Sequence, residues 1–228
     1  MKPGLLANRS TPPPTKAALR MMNWIDEKDD GMTPGIVSST ENAMGTFSGE
    51  LIIATVPVVG EALIGIIPCP GRNQTGAVGA PWHRELEADL KALEAWGTQV
   101  LVSLVEPHEF SRLGVANFIE AVQRRNFRWH HLPITDLAIP GEAFKEAWNT
   151  HGSDILRSLK RGERVVVHCA GGLGRSGMIA AKLLTIFGIS PDEAILKVRE
   201  ARPGAIETPE QETYVLSGPP LSAHPSDI

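Results

Sequence analysis

The chain has 228 residues, 42% hydrophobic and 21% charged, with a formal net charge of −4. That is the composition of an ordinary globular protein able to bury a sizeable core, and it offers no bulk attraction to nucleic acid or to an anionic membrane, so any anion site has to be local. Two cysteines, Cys69 and Cys169, are too few for a disulfide framework and point to a reducing compartment.

Residues 1–48 are rich in Pro, Ser, Thr, Gly and Asn, show no sustained period, and read as a low-complexity N-terminal arm. The opening "MKPGLLANRSTPPPTK" has no continuous apolar run of the kind a secretory signal needs. The longest apolar stretch, "LIIATVPVVGEALIGIIPCP" at 51–70, holds Glu61, three prolines and two glycines. Two short buried strands turning near Gly60 fit it better than a membrane span, and a cytoplasmic protein is expected.

Next, "PWHRELEADLKALEAWG" predicts a helix opened by Pro81 and closed by Gly97, with Trp82, Leu86, Leu90 and Leu93 on one face. "TQVLVSLV" (98–105) is a valine-rich run suited to a strand buried on both faces. "FIEAVQRRN" predicts a short helix and "FRWHHLPI" (127–134) a weaker strand. "GEAFKEAWNTHGSDILRSLKRG" predicts a helix carrying Phe144, Trp148, Ile155 and Leu159, with a weak point at Gly152.

The strand "RVVVH" then leads into a glycine-rich loop and the helix "SGMIAAKLLTIF", closed by Gly188. The next helix opens with a capping box, Ser190 to Glu193, and Pro191 at its first position. There is no internal repeat. This alternation predicts a single α/β domain over residues 49–216, a mostly parallel sheet flanked by helices, with 217–228 as a C-terminal tail.

The glycine loop carries two signatures at once. Gly172-Leu-Gly174-Arg-Ser-Gly177 matches the G-x-G-x-x-G of a dinucleotide-binding turn. That fold needs a second strand bearing an acidic ribose ligand about 20 residues later. Position 197 falls instead inside the capped helix, and no apolar strand follows.

The other signature is Cys169 followed by five residues and Arg175. A free thiol has a pKa of about 8.5 and is mostly protonated at neutral pH. Between a strand end and a helix N-terminus, Cys169 gains a positive dipole and inward-facing amides. Those amides, from Ala170, Gly171, Gly172, Leu173, Gly174 and Arg175, can bind the oxygens of a transferring phosphoryl group, and the glycines permit the φ values the ring needs. Arg175 offers a planar fork to two of the oxygens. Ser176 can hydrogen-bond the sulfur and make it a better leaving group.

"HCAGGLGRSG" resembles the His-Cys-x5-Arg-Ser/Thr loop of the protein tyrosine phosphatase superfamily. The form Gly-Gly-Leu-Gly-Arg-Ser is similar to that of the cyclin-dependent kinase-associated phosphatases within the dual-specificity group. "IPCPGRN", "ELEADLKALEAWG", "HLPITD" and "SPDEAILKVREARPGAIET" agree with that group, so the resemblance covers roughly residues 50–216. It implies the superfamily's fold and hydrolysis through a phosphocysteine, with no cofactor and no metal. It also implies a phosphorylated protein as partner, with a kinase among the candidates but not established by it; separately, a monomer is expected. The rival readings are a small-molecule phosphate monoester phosphatase with the same loop and a phosphoprotein-binding module with little turnover.

The leaving oxygen needs a general acid. Asp136 follows the strand "FRWHHLPI" and should reach the same sheet edge as Cys169; the resemblance assigns the acid to it, while the residues alone also fit a turn or cap. Glu106, after "TQVLVSLV", is the second candidate, with a structural role favoured. His168 is expected to orient the loop rather than titrate. His130 and His131 point to opposite faces of a strand and make a poor metal pair, and no Cys/His cluster has metal spacing.

Many relatives have glutamine in "Gly-Ala-Ile-Gln-Thr", where it positions the hydrolytic water; here the residue is Glu207, with Gln211 four residues on and on the same helical face. A carboxylate facing phosphate would repel it, so Glu207, Gln211 or neither serves the second step, and Glu207 reads equally as a helix-start residue. Ala170 and Leu173 are neutral where phosphoinositide phosphatases of the superfamily carry lysines. Tyr214, the single tyrosine, lies after the loop, so no upstream tyrosine can wall a deep pocket, and a shallow one open to phosphoserine, phosphothreonine and phosphotyrosine is expected. Relatives sometimes protect the nucleophile by a disulfide, for which Cys69 is the one partner available; Cys69 also reads as a small buried side chain.

Overall fold

The computed structural model describes residues 49–74 and 81–221; the arm expected over 1–48 lies outside them. A turn at Gly60 (φ +55°) folds the long apolar run back on itself as an antiparallel pair, β1 (Ala54–Pro57) and β2 (Leu63–Ile67). β2 then runs parallel to β7 (Arg164–His168), β7 to β5 (Thr98–Ser103), and β5 to β6 (Arg128–His131), giving the order β1-β2-β7-β5-β6. Ile67, His168, Ser103 and His131 stand in register, so four strands end along one edge.

Alternation along these buried strands divides the core in two. Ile64, Ile66, Val100, Val102, Val165 and Val167 face one layer of helices: α4 (Glu142–Lys160), α5 (Gly174–Ile186), α6 (Pro191–Ala201) and α7 (Pro209–Ser217). Leu101 and Val166 face the other way, onto α1 (Leu86–Trp96), α2 (Pro107–Arg112) and α3 (Phe118–Gln123), where Phe110 stacks on Phe118 at 4.8 Å. Through their middles the central strands β2, β5 and β7 are apolar on both faces until Ser103 and His168 at the edge, which is why they read as continuous runs.

Three expectations need correction. Trp82 is not on α1: Trp82–His83 forms β4, which pairs with β3 (Asn73–Gln74) in a separate two-stranded ribbon. The Arg72 guanidinium lies 4.4 Å over the Trp82 ring and Arg84 N donates to Arg72 O, so this segment bonds to 72–74 before the helix begins. Gly97 does end α1, in the left-handed region (φ 82°, ψ 35°).

Gly152 is no weak point either. α4 runs through it, because a Cβ there would stand 2.6 Å from Trp148 Cε2; glycine makes room for the indole. At α6 the capping box is half formed: Ser190 Oγ accepts from Glu193 N, while the Glu193 carboxylate pairs with Lys197. α2 was not anticipated. α7 runs to Ser217, and Leu221 beyond it is buried. Among the described residues no helix is long and apolar enough to cross a membrane.

Candidate active site

β7 ends at His168 in the middle of the sheet edge, so its next residue, Cys169, enters the loop at the centre of the fold. Residues 169–173 turn the chain into α5, which begins at Gly174. Gly172 makes the turn possible: its φ is +70°, and a Cβ would sit 2.4 Å from the carbonyl carbon of Ile67. The thiol of Cys169 is 3% exposed. Gly172 N–H points at its Sγ from 3.3 Å, and Ser176 Oγ, one turn into α5, stands 3.4 Å away. Sulfur therefore faces a backbone donor, a hydroxyl and the positive end of a 13-residue helix.

Arg175 leaves the first turn of α5 inward and is 1% exposed. Glu109 of α2 holds it from behind with both oxygens, Nη1 to Oε2 at 2.6 Å and Nη2 to Oε1 at 3.1 Å, and Ile134 O accepts from Nη1 at 2.9 Å. Burial works to raise the Glu109 carboxyl, but hydrogen bonds from Arg175 and the Glu106 amide, with the charges of Arg175 and Arg112, outweigh it and hold the group below the ordinary carboxylate range.

Asp136 stands at the same edge, half exposed, with Oδ1 2.8 Å from Arg175 Nη2 and Oδ2 3.9 Å from Arg112. Glu106, the other acid considered, is the N-cap of α2: its amide donates to Glu109 Oε2 at 2.7 Å and its carboxylate accepts from Thr135 Oγ1 at 3.3 Å. Glu106 is thus engaged by Glu109 and Thr135, whereas Asp136 touches Arg175.

His168 is fully buried between Ser103 Oγ, 2.5 Å from Nε2, and its neighbour's carbonyl, Cys169 O, 3.3 Å from Nδ1. Burial pushes its pKa down to about 3 despite the help of that carbonyl, so the ring is neutral and orients the strand end. His130 and His131 part as expected, His130 to Asp154 at 2.8 Å and His131 to Val105 O at 2.8 Å. Among the described residues no group of three His, Cys, Asp or Glu side chains could hold a metal.

Glu207 lies before α7 rather than on it, since Thr208 is the N-cap; Glu207 and Gln211 therefore do not share a helical face. Gly174 N donates to Glu207 Oε2 at 2.7 Å, so a carboxylate rests on one of the loop amides. Gln211 is fully buried; its Oε1 accepts from Glu207 N at 3.0 Å and its Nε2 donates to Ala138 O at 3.4 Å, two residues past Asp136. Tyr214 packs in the core beneath Lys182, whose Nζ is 5.0 Å from the ring centroid. Cys69 and Cys169 are both free thiols. Cys69 stands directly behind the loop, its amide on Ala170 O at 3.2 Å, and burial, then the Cys169 charge, push its thiol far above the ordinary cysteine value.

Among the residues that sequence reasoning missed is Glu109. Its signal was the Glu106-Pro107-His108-Glu109 spacing directly after a strand, which marks a capped helix start at the sheet edge. Its pairing with Arg175, 66 residues away, has no local signal.

The pattern that defines the family "Cyclin-dependent kinase inhibitor 3" matches residues 59–195. The rat protein of that name is 33% identical over 136 residues, covering 58% of this chain and 63% of its own length, and the human protein matches with the same figures. The chain thus spans less than two thirds of these relatives. A tyrosine-protein phosphatase of Saccharomyces cerevisiae, CDC14, is 43% identical over 59 residues, 25% of this chain and 11% of its own length. Among solved structures, a kinase associated phosphatase carrying serine for its catalytic site cysteine superposes with a TM-score of 0.63 at 26% identity, over 73% of this chain and 93% of that one.

Proposed function

Since the chain belongs to the cyclin-dependent kinase inhibitor 3 family, we propose that it is a dual-specificity phosphoprotein phosphatase working through a phosphocysteine. One observation carries the reading: Cys169 Sγ, met by the Gly172 amide and the Ser176 hydroxyl, lies in a loop whose Arg175 also touches Asp136. The loop amides of Ala170, Gly171, Gly172, Leu173, Gly174 and Arg175 would receive the phosphoryl oxygens.

In the first step the thiolate attacks phosphorus. The Sγ–P bond forms, the ester P–O bond breaks, and protonated Asp136 gives its proton to the departing oxygen. Arg175 exchanges its contact with Asp136 for two phosphoryl oxygens, and it is steered there because Glu109 fixes the far side of the guanidinium. In the second step water attacks phosphorus, the Sγ–P bond breaks, and Asp136 takes the water's proton. Ser176 stabilises the sulfur as it leaves.

The neutral side chains of Ala170 and Leu173 argue against an inositol lipid, and phosphorylated protein remains the substrate class, a kinase among the candidates. Such a substrate fits a reducing, cytoplasmic setting. The test is phosphate release by the wild type beside Cys169→Ser, with phosphopeptides, phosphosugars, nucleotides and an aryl phosphate. Expected are turnover of phosphopeptides by the wild type, inhibition by orthovanadate but not EDTA, and loss of turnover with phosphopeptide binding kept in Cys169→Ser. Substantial activity in the serine variant overturns the mechanism; turnover confined to small molecules overturns the substrate class; binding without turnover in the wild type makes the protein a binding module.

A further inference from the structure

A trans peptide holds the carbonyl of one residue and the amide of the next on opposite sides. For loop amides to face an anion, the preceding carbonyls must face away from it and find donors elsewhere. In this loop each one does. Ala170 O accepts from Cys69 N and from Arg72 Nη1, both at 3.2 Å. Gly171 O accepts from Arg202 Nη2 at 3.3 Å and Gly172 O from Arg202 Nε at 3.1 Å. Leu173 O accepts from Gly177 N at 2.9 Å and Ile206 N at 3.3 Å.

The amides on the far side of two of these peptides already show where they point. Gly172 N–H, paired in its peptide with Gly171 O, is directed at Cys169 Sγ. Gly174 N–H, paired with Leu173 O, holds the Glu207 carboxylate.

From this geometry we propose that Arg202, assisted by Arg72, is a positioning residue of the phosphate loop: it holds the outward carbonyls and thereby aims the amides of Gly171, Gly172 and Leu173 at the anion. Neither arginine belongs to the Cys-x5-Arg signature. Arg202 follows the end of α6, where Pro203 stops the helix, and its planar fork serves two successive carbonyls at once, which an ammonium group cannot do in fixed geometry. Arg72 is itself fixed by the Trp82 ring and by Gln74 Oε1, 2.9 Å from Nη2. The ribbon of β3 and β4 thus has a purpose at the site: it carries the stack that aims Arg72.

The proposal rests on the loop being an oxyanion cradle, and its test separates the two. Tungstate is titrated into the ¹⁵N-labelled full chain, reading the amide shifts of Gly171, Gly172, Leu173 and Gly174 together with the dissociation constant. Arg202→Ala is expected to weaken tungstate binding by about tenfold or more and to abolish the shift responses of Gly172 and Leu173. Arg202→Lys recovers only part of the affinity. Arg72→Ala loses less, about threefold, because Ala170 O keeps the Cys69 amide. Arg128→Ala, which removes the pairs to Asp154 and Glu163 on another part of the sheet, keeps wild-type affinity and shifts.

Should Arg202→Ala fail to fold, Arg202→Lys and Arg72→Ala carry the comparison. Wild-type affinity and amide responses in the Arg202 variants overturn the clamp while leaving the cradle intact. Absence of any response in the wild type overturns the cradle, and the clamp with it.

Discussion

Arg175 and Glu109 meet as a two-pronged ion pair with each side chain 1% exposed, and Arg175 is left with one edge of its guanidinium turned to Asp136. A buried guanidinium without this partner would be an uncompensated charge, and breaking such a pair costs on the order of 3 kcal/mol.

Glu109→Gln should therefore lower both stability and turnover, whereas Arg175→Lys, which keeps the charge but loses the fork, should impair turnover far more than folding. Because the Glu109 carboxyl is held below the ordinary glutamate value, its contribution to stability is complete above about pH 4.3 and lost as pH falls through its lower folded value. Denaturation midpoints across the acid range should fall less steeply for Glu109→Gln than for the wild type; equal slopes would mean that the pair does not set acid stability.

His168 adds a second pH term at higher pH. Its folded value of about 3 lies below an unfolded histidine near 6.5, so the unfolded chain binds the extra proton and stability falls progressively between those two values as pH drops. Proton NMR should show the His168 ring neutral at every pH above its folded value of about 3. A titration near pH 6 that tracks turnover would make it a catalytic group instead.

Asp136→Asn should depress turnover about 10²–10⁴-fold on phosphoserine, phosphothreonine and phosphotyrosine peptides, and far less on an activated aryl phosphate whose leaving group needs no proton. Glu106→Gln, at the α2 N-cap, keeps a side-chain acceptor there and should leave turnover near wild type with no dependence on leaving group. The reverse pattern in steady-state kinetics would transfer the acid role to Glu106.

Glu207→Gln keeps an acceptor for Gly174 N–H and removes a negative charge from the cradle. Competitive inhibition by phosphate and tungstate should tighten by about tenfold. If burst kinetics instead show phosphocysteine accumulating while anion affinity is unchanged, Glu207 belongs to the hydrolytic step.

Gly172→Ala and Gly171→Ala form a matched pair. The first places a methyl against the Ile67 backbone at positive φ, while the second meets nothing within 4 Å. Thermal unfolding and tungstate binding should both suffer in Gly172→Ala and remain near wild type in Gly171→Ala.

That Cys169, Arg175 and Ser176 meet in one loop was legible because one strand, one loop and one helix carry them in sequence. The position of Asp136 beside Arg175 was legible because a parallel sheet sends every strand to the same edge. Glu109, Arg72 and Arg202 were not, since what they do depends on contacts with residues 66, 98 and about 30 positions away. Trp82 was misplaced for the same reason: its helical spacing was real, but the competing attraction was Arg72, distant along the helix reading and adjacent only once the ribbon forms.

Gln211 spends both ends of a buried amide on two separate segments, accepting from Glu207 and donating to Ala138, two residues past Asp136. Swinging the Ala138 segment away would strand an amide donor out of reach of water, a penalty that a side chain at the surface would escape. The positions of Asp136 and of Glu207 are consequently tied through one side chain, so a change that frees either segment also loosens the other.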